Sequence, residues 1–204
     1  MEIIKLTLGM LAVNCYIIKY SENKAAIIDP GDEGEKIASE LEKQWLTPTQ
    51  ILLTHGHFDH IGAAAFLKEK YNIPLYIGEK DNTMLSDREK SGAYIAPFVK
   101  YNPVEADGFL KEGDEIALGE ITLKVMETPG HSEGSICLMG EDFIFTGDTV
   151  FQGSVGRTDL FSGSGKKLME SVKKLAALEK DYRLYCGHGE DTALEAEKSF
   201  NPFF

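Results

Sequence analysis

The sequence predicts a mixed α/β (α+β) fold in which two β-sheets pack face to face with helices outside. Three observations carry this. Strand-like, β-branched runs gather in two clusters, one before residue 80 and one after residue 113. Amphipathic helical stripes are interleaved with them. No internal repeat, low-complexity stretch or linker divides the chain, so residues 1–204 read as one domain.

Runs 2–8, 13–20 and 24–28, separated by Gly9 and by Ser21-Glu22-Asn23, form an N-terminal meander. Asp29-Pro30-Gly31 ends the third strand. Over 34–45, Ile37, Leu41 and Trp45 recur at helical spacing. A strand over 50–54 runs straight into His55-Gly56-His57-Phe58-Asp59-His60. Residues 62–71 are Ala-rich and helical, stopping near Asn72 ahead of Pro74. Residues 74–77 suit a strand, and 79–85 a helical turn or two. Periodicity fades over 86–113, where Gly92, Pro97, Pro103 and Gly108 interrupt any pattern; a loop that long reads as a flap beside a site. Runs 115–118, 121–127, 135–139 and 142–145, joined by Gly119-Glu120 and Gly140-Glu141, make a second meander. A helix over 165–178 carries Leu168, Val172 and Leu175 on one face, and a strand over 183–186 and a helix over 192–199 follow.

Composition excludes several function classes. Lys and Arg number 21 against 33 Asp and Glu, a net charge of −12, which argues against a nucleic-acid groove. No apolar run is long enough to span a bilayer, and the first twenty residues, interrupted by Lys5, Thr7 and Asn14, carry no small-residue cleavage site. Three cysteines, Cys15, Cys137 and Cys186, cannot all pair and form no CxxC, so a reduced, cytoplasmic setting is expected. A chain of this size buries roughly 70% of its unfolded surface and needs no disulfide.

The five histidines are the informative residues. Each ends a short apolar run: 51–54 leads into His55, His57 and His60, 125–130 into His131, and 184–187 into His188. Run 143–147 leads in the same way into Asp148. Strands of shared sheets bring such ends to one edge, which is how sites form on open sheets. His-x-His on extended chain places both imidazoles on one side, while Asp59 and His60, opening the next helix, face a second position. Imidazole and carboxylate suit Zn, Fe or Mn. Five imidazoles and two carboxylates exceed one tetrahedral ion and suit two ions sharing a carboxylate, able to hold a bridging hydroxide as nucleophile. Singly, His131 passes for a turn residue, His188 for a strand-end histidine and Asp148 for a cap. Those readings do not explain why every histidine ends a strand.

Two other motifs compete for attention. Gly130-His131-Ser132-Glu133-Gly134 spells the G-x-S-x-G nucleophile elbow, but that motif needs a helix next, and 135–139 reads as a strand. Ser162-Gly163-Ser164-Gly165-Lys166-Lys167 lacks the first glycine and the final Ser or Thr of a P-loop. Cys186, two residues before His188, reads as a buried small hydrophobe rather than a ligand.

Thr54-His55-Gly56-His57-Phe58-Asp59-His60 matches the HxHxDH motif of the metallo-β-lactamase superfamily, and His131, Asp148 and His188 follow in its order. The resemblance runs over nearly the whole chain and is strongest to short glyoxalase II-like (hydroxyacylglutathione hydrolase-like) hydrolases. It implies a four-layer αββα sandwich. It further implies that His55, His57 and His131 hold one divalent ion, that Asp59, His60 and His188 hold another, and that Asp148 bridges them, with zinc expected and iron or manganese the alternatives. Asp148 stands where the well-known β-lactam-hydrolysing subgroup has cysteine, which points away from that activity. The resemblance implies hydrolysis of a small-molecule thioester of the S-lactoylglutathione kind, with Asp59 also orienting the nucleophile. Gly147-Asp148-Thr149 and Gly156-Arg157-Thr158-Asp159 are equally similar to persulfide dioxygenases, so a mononuclear-iron dioxygenase is the alternative.

The longer glyoxalase II enzymes carry part of their glutathione site on a helical domain after the last histidine, whereas here only residues 189–204 follow His188. Arg157 falls at a glutathione-contacting lysine, while Asp159 and Glu190 stand where contacting tyrosines would align. Arg157 is therefore the candidate for binding a substrate anion against the net negative charge. No nucleic-acid or membrane partner is expected, and monomer and homodimer stay open.

Overall fold

The structure is a computed structural model and describes residues 1–99 and 101–204. β1 (Glu2–Leu8), β2 (Val13–Lys19) and β3 (Lys24–Ile28) form an antiparallel meander. β2 and β3 are apolar on both faces because both faces are covered. Cys15, Ile17, Ala25 and Ile27 enter one cluster, and Tyr16, Ile18, Ala26 and Ile28 enter the other. After α1 (Gly34–Lys43), β4 (Thr47–Leu52) pairs in parallel with β3. The next parallel crossover, from β4 to the following strand, contains the short helix α2 (Phe58–Ile61) and α3 (Ala64–Tyr71). β5 (Leu75–Gly78) and β6 (Gly108–Leu110) complete a six-stranded sheet in the order β1-β2-β3-β4-β5-β6. Two pieces of 3₁₀ helix, Glu79–Leu85 and Ala93–Ile95, lie between its last two strands.

The second sheet is mostly antiparallel. β7 (Glu115–Leu118), β8 (Ile121–Glu127), β9 (Ile136–Met139) and β10 (Phe143–Gly147) follow one another. A small hairpin, β11 (Val150–Phe151) and β12 (Ser154–Val155), precedes α4 (Gly165–Ala176). β13 (Arg183–Cys186) then pairs in parallel with β10, β14 (Thr192–Ala193) forms the edge, and α5 (Leu194–Phe200) follows.

Packing sets the layers. Tyr16, Ile28 and Leu52 of the first sheet meet Leu123, Val125 and Phe145 of the second in one buried cluster. Ile37 and Leu41 of α1 and Leu67 of α3 cover the outer face of the first sheet. Val172 and Leu175 of α4 and Leu194 of α5 cover that of the second. The order helix, sheet, sheet, helix is the αββα sandwich that the resemblance implied. Among the described residues, no helix is long and apolar enough to cross a membrane.

Several boundaries differ from the sequence reading. α1 stops at Lys43, because Trp45 adopts a left-handed φ of 57° and stands 86% exposed; Ile37 and Leu41 keep the buried stripe alone. β4 begins at Thr47, since register with β3 recruits Thr47 and Pro48. The helix expected over 62–71 begins as α2 at Phe58, is interrupted at Gly62-Ala63 and resumes at Ala64. Thr192 and Ala193 pair with β13 instead of opening the last helix. β6, β11 and β12 escaped the sequence reading, being two or three residues long and defined by their partners.

Candidate metal centre

The C-terminal ends of β4, β8, β10 and β13 meet at one edge of the sandwich. His57 is the extended residue that opens α2, so the chain turns helical just after it and swings Asp59 and His60 away from the His-x-His pair. Gly147, with φ of 49°, turns the end of β10 inward, and any Cβ there would strike the Thr54 hydroxyl. A Cβ at Gly187 would collide with Oδ1 of Asp148, so only glycine lets the end of β13 approach this closely.

All seven predicted donors come together. Donor atoms of His55, His57 and His131 lie within 4.8 Å of one another, as do those of Asp59, His60 and His188. Asp148 stands between the two triads. Its oxygens lie 3.3 Å from His60 Nε2, 3.5 Å from His131 Nε2 and 3.7 Å from His188 Nε2. Asp59 Oδ2 is 3.2 Å from His188 Nε2.

The donor chemistry fits resident cations. Nε2 of His55, Nε2 of His57 and Oδ1 of Asp148 are buried without a hydrogen-bond partner, a state costing about 1–3 kcal/mol per group unless something else satisfies it. Four imidazoles are held from behind at Nδ1, leaving Nε2 to face the centre. His55 Nδ1 meets the Thr54 hydroxyl at 3.1 Å and His60 Nδ1 meets Asp29 at 3.0 Å. His131 Nδ1 donates to the Arg157 carbonyl at 2.8 Å and His188 Nδ1 to that of Leu11 at 3.0 Å. Such outer partners fix tautomer and ring orientation in metal sites. His57 is the exception, with Nδ1 facing inward, 2.7 Å from His131 Nε2.

Charge divides the triads. Burial, reinforced by the neighbouring imidazoles, holds His55 well below the ordinary histidine pKa and pushes His57 down to about 3. Burial also opposes charge on His60, but Asp148, Asp29 and Asp59 outweigh it and raise that pKa well above its usual value. His188 is raised in the same way, Asp59 and Asp148 overcoming its burial. Burial likewise works against ionised Asp148, and the surrounding imidazoles overcome it, holding the carboxyl well below its usual range.

Two supporting carboxylates were not singled out from sequence. Asp29 accepts from the Thr54 backbone at 2.7 Å, the Thr54 hydroxyl at 2.6 Å and His60. It also lies near enough to His55 and His60 to form a donor triad, but three of its roughly four lone-pair positions are taken by these contacts, which suits it to orienting ligands. Asp81, fully buried in the 3₁₀ helix after β5, accepts from the Gly56 and Gly134 amides at 3.0 and 2.7 Å and from the Ser132 hydroxyl. It thereby ties the His55–His57 loop to the His131 loop. Sequence gives little signal for it, because Glu79-Lys80-Asp81-Asn82 looks like a solvated turn.

The competing motifs resolve physically. Ser132 is fully buried, bonded to Asp81 and Ser135, and a strand follows it, so it is no nucleophile. Ser164 caps α4 by accepting from the Lys167 amide at 3.4 Å, which accounts for the glycine-rich run. Burial pushes the Cys186 thiol up to about 12, and Cys15, Cys137 and Cys186 are all buried and free. The flap expected over 86–113 borders the site: the Ser91 carbonyl accepts from the Phe58 amide, and Ile95 reaches the cavity. Position 100 lies outside the described residues.

A cavity of 350 Å³ opens over both triads. A larger hollow of 720 Å³, beside Ser86, Asp87 and Arg88, contains none of the histidines. Arg157 lines the metal-side cavity, but its guanidinium forks onto Asp159 at 2.7 and 2.8 Å. Glu190 is exposed.

Comparison with known proteins agrees with this architecture. Residues 8–188 match the family model of the metallo-beta-lactamase superfamily. The chain is 36% identical to a probable metallo-hydrolase, YqgX, of Bacillus subtilis, over 98% of this chain and 95% of that protein. It is 34% identical to the hydroxyacylglutathione hydrolase GloC of Haemophilus influenzae, over 93% and 92%. The crystal structure of BLEG-1, a B3 metallo-beta-lactamase, superposes with a TM-score of 0.94 at 34% identity, over 99% of both chains. TTHA1623, crystallised in a di-iron-bound form, superposes at 0.87 with 35% identity, over 98% of this chain and all of that one. With its HxHxDH loop and downstream His131, Asp148 and His188 gathered at one edge of an αββα sandwich, this chain belongs to the metallo-β-lactamase superfamily.

Proposed function

We propose that this protein is a binuclear metallohydrolase that cleaves a small-molecule thioester. The observation that carries the reading is the pair of donor triads with Asp148 between them, open to one cavity. His55, His57 and His131 would hold one divalent ion, zinc by preference, and Asp59, His60 and His188 the other, with Asp148 shared. When bound, two such ions supply Lewis acidity and bring water's pKa near neutrality.

The protein's own groups arrange the rest. Asp59 faces the cavity and also meets His188, so it can ligate and accept a hydrogen bond from the attacking water. Water oxygen bonds to the acyl carbon, the C–S bond breaks, and a carboxylic acid and a thiol result. A thiol's pKa of ~8.5 makes it a leaving group that needs little protonation. In keeping with that, no lysine, tyrosine or cysteine among the described residues lines the cavity to act as a proton donor. The thioester class is supported by the glyoxalase II-like motifs and by the likeness to a hydroxyacylglutathione hydrolase. A cytoplasmic setting is supported by three buried, unpaired thiols.

The test is thiol release from S-lactoylglutathione and simple acyl thioesters by protein loaded with two equivalents of zinc. Metal-dependent release that Asp59→Ala abolishes is expected. Hydrolysis of a β-lactam without thioester turnover would overturn the substrate class. One bound iron with oxygen uptake on glutathione persulfide would favour the dioxygenase, a reading in which two histidines and one aspartate bind metal and the other four of the seven gathered donors stand idle.

A further inference from the structure

The thioester reading leaves open which thioester, and this inference rests on that reading. The reacting carbonyl belongs at the floor of the cavity, beside the triads, so one half of the substrate fills the cavity and the other trails into solvent. At 350 Å³ the cavity is at the low end of the ~300–1,000 Å³ range of small-molecule sites, suited to an acyl chain rather than a tripeptide thiol. Apart from the candidate metal ligands, its wall is Leu11, Phe58, Ile95, Phe151 and Leu160, with Arg157 the one cation among the described residues. Leu11 and Ile95 stand 47% and 45% exposed, apolar groups held in water at the mouth. Leu11 is not there by accident of a loose turn, since its carbonyl orients His188.

Charge points the same way. The chain carries a net −12, so the field at long range repels an anionic acyl group. Arg157 is the group that would compensate, and Asp159 already occupies both edges of its fork. A substrate carboxylate must displace an acid tethered two residues away, whose effective concentration is on the order of millimolar. Asp159, held down to about 2 by its bond to Arg157, keeps its charge at every working pH. The nearby Lys90 lies 3.8 Å from Asp87 and over the Phe161 ring, so it is also engaged.

We infer that the cavity selects thioesters whose acyl group is neutral and apolar, and that Asp159 enforces the choice by holding the guanidinium at the mouth. Arg157 is then a latent anion site, released only when Asp159 is neutralised.

The experiment uses the zinc-loaded full chain and N-acetylcysteamine thioesters, whose carrier is uncharged. From acetyl to hexanoyl, kcat/KM should rise by up to about fourfold per methylene until the cavity is full. The succinyl thioester should fall at least about tenfold below butyryl. Asp159→Asn should raise the succinyl-to-butyryl ratio at least about fivefold, and adding Arg157→Ala should abolish that gain. Leu11→Ser, at an exposed turn position, should flatten the chain-length series. A series that is flat or falling in the wild type, or succinyl as the best substrate, would overturn the proposal. Calorimetry with S-butyl and S-(3-carboxypropyl) thioether analogues separates the two readings. Butyl bound more tightly, with no thiol released from any thioester, would keep the cavity's preference and sink only the thioesterase. Carboxypropyl bound more tightly would sink the preference itself.

Discussion

The two donor triads share an edge of the sandwich but not an environment. His55, His57 and His131 come from strand ends and are no more than 3% exposed, and burial keeps His55 and His57 neutral. Asp59, His60 and His188 come from a helix and a loop; Asp59 and His188 keep 17% and 25% of their side chains open, and carboxylates make both imidazoles basic. His55 and His57 are therefore set up to receive a cation without losing a proton. The outer triad must give up protons to receive one.

Asp148 stands between the triads, within 3.3–3.7 Å of histidines of both, so its removal breaks the comparison outright. Asp148→Asn keeps the shape but discards the shared charge, and should cost about a thousandfold or more in kcat/KM. Bound zinc should fall from two equivalents towards one, with the inner triad retained. Metal analysis beside steady-state kinetics checks this; two ions with unchanged turnover would place Asp148 outside the centre.

Asp29 and Asp81 sharpen it, because of the two only Asp29 touches an outer histidine, although through Thr54 it also backs His55. Asp29 meets the outer His60 directly, whereas Asp81 joins the two loops that present the inner triad. Loss of such outer partners typically costs 10–100-fold in metal affinity, and about that is expected here. Asp29→Asn should weaken the second zinc equivalent, and Asp81→Asn the first, in competition titrations against a chelator. Identical effects of both variants on both ions would mean that the triads do not bind independently.

Acid should separate the ions next. With His60 and His188 raised above the ordinary ~6.5, zinc at the outer triad competes with protons, and its apparent affinity should fall about tenfold per pH unit for each proton displaced. Dialysis at pH 5.5 should remove the outer equivalent first. In the metal-free protein the signs oppose. Raised His60 and His188 contribute stability that is fully present below ~6.5 and lost as pH rises through their folded pKa values. Depressed His55 and His57 do the reverse, costing stability as pH falls below ~6.5, for His57 down to about 3. Imidazole NMR at pH 6.5 should show His55 and His57 neutral and His60 and His188 charged.

That contrast marks the limit of the sequence. All seven donors were legible because histidines are few and each ends an apolar run, and strand ends converge in any sandwich of this kind. Strands β2 and β3 were legible as β-branched-rich runs bounded by turn residues. The division of the triads into neutral and basic depends on which carboxylates fold behind them. Asp29 and Asp81 are two acids among 33 and carry no local mark. Trp45 misled in the opposite sense, since spacing placed it on the buried stripe while a left-handed backbone turned it out to water.

The smallest expected effect tests whether the inner triad depends on the helix behind it. The first turns of α4 grip the segment that delivers His131: the Ser164 amide donates to the Gly130 carbonyl, and Ser171 Oγ donates to that of Pro129 at 2.8 Å. Ser164 Oγ also caps the helix. Ser164→Ala removes the cap but leaves the amide contact, so it should cost only about 1 kcal/mol. In a chain of this size that is a fall of roughly 2–4 °C in Tm. Ser171→Ala deletes a buried contact to the His131 segment itself, and a similar stability loss of about 1 kcal/mol is expected. The two should part in zinc affinity, with Ser171→Ala weakening the inner ion and Ser164→Ala leaving both unchanged. If both variants lower Tm and neither alters either ion, the Ser171 hydroxyl plays no part in placing His131, and the contacts through Asp81, the Arg157 carbonyl and the Ser164 amide suffice.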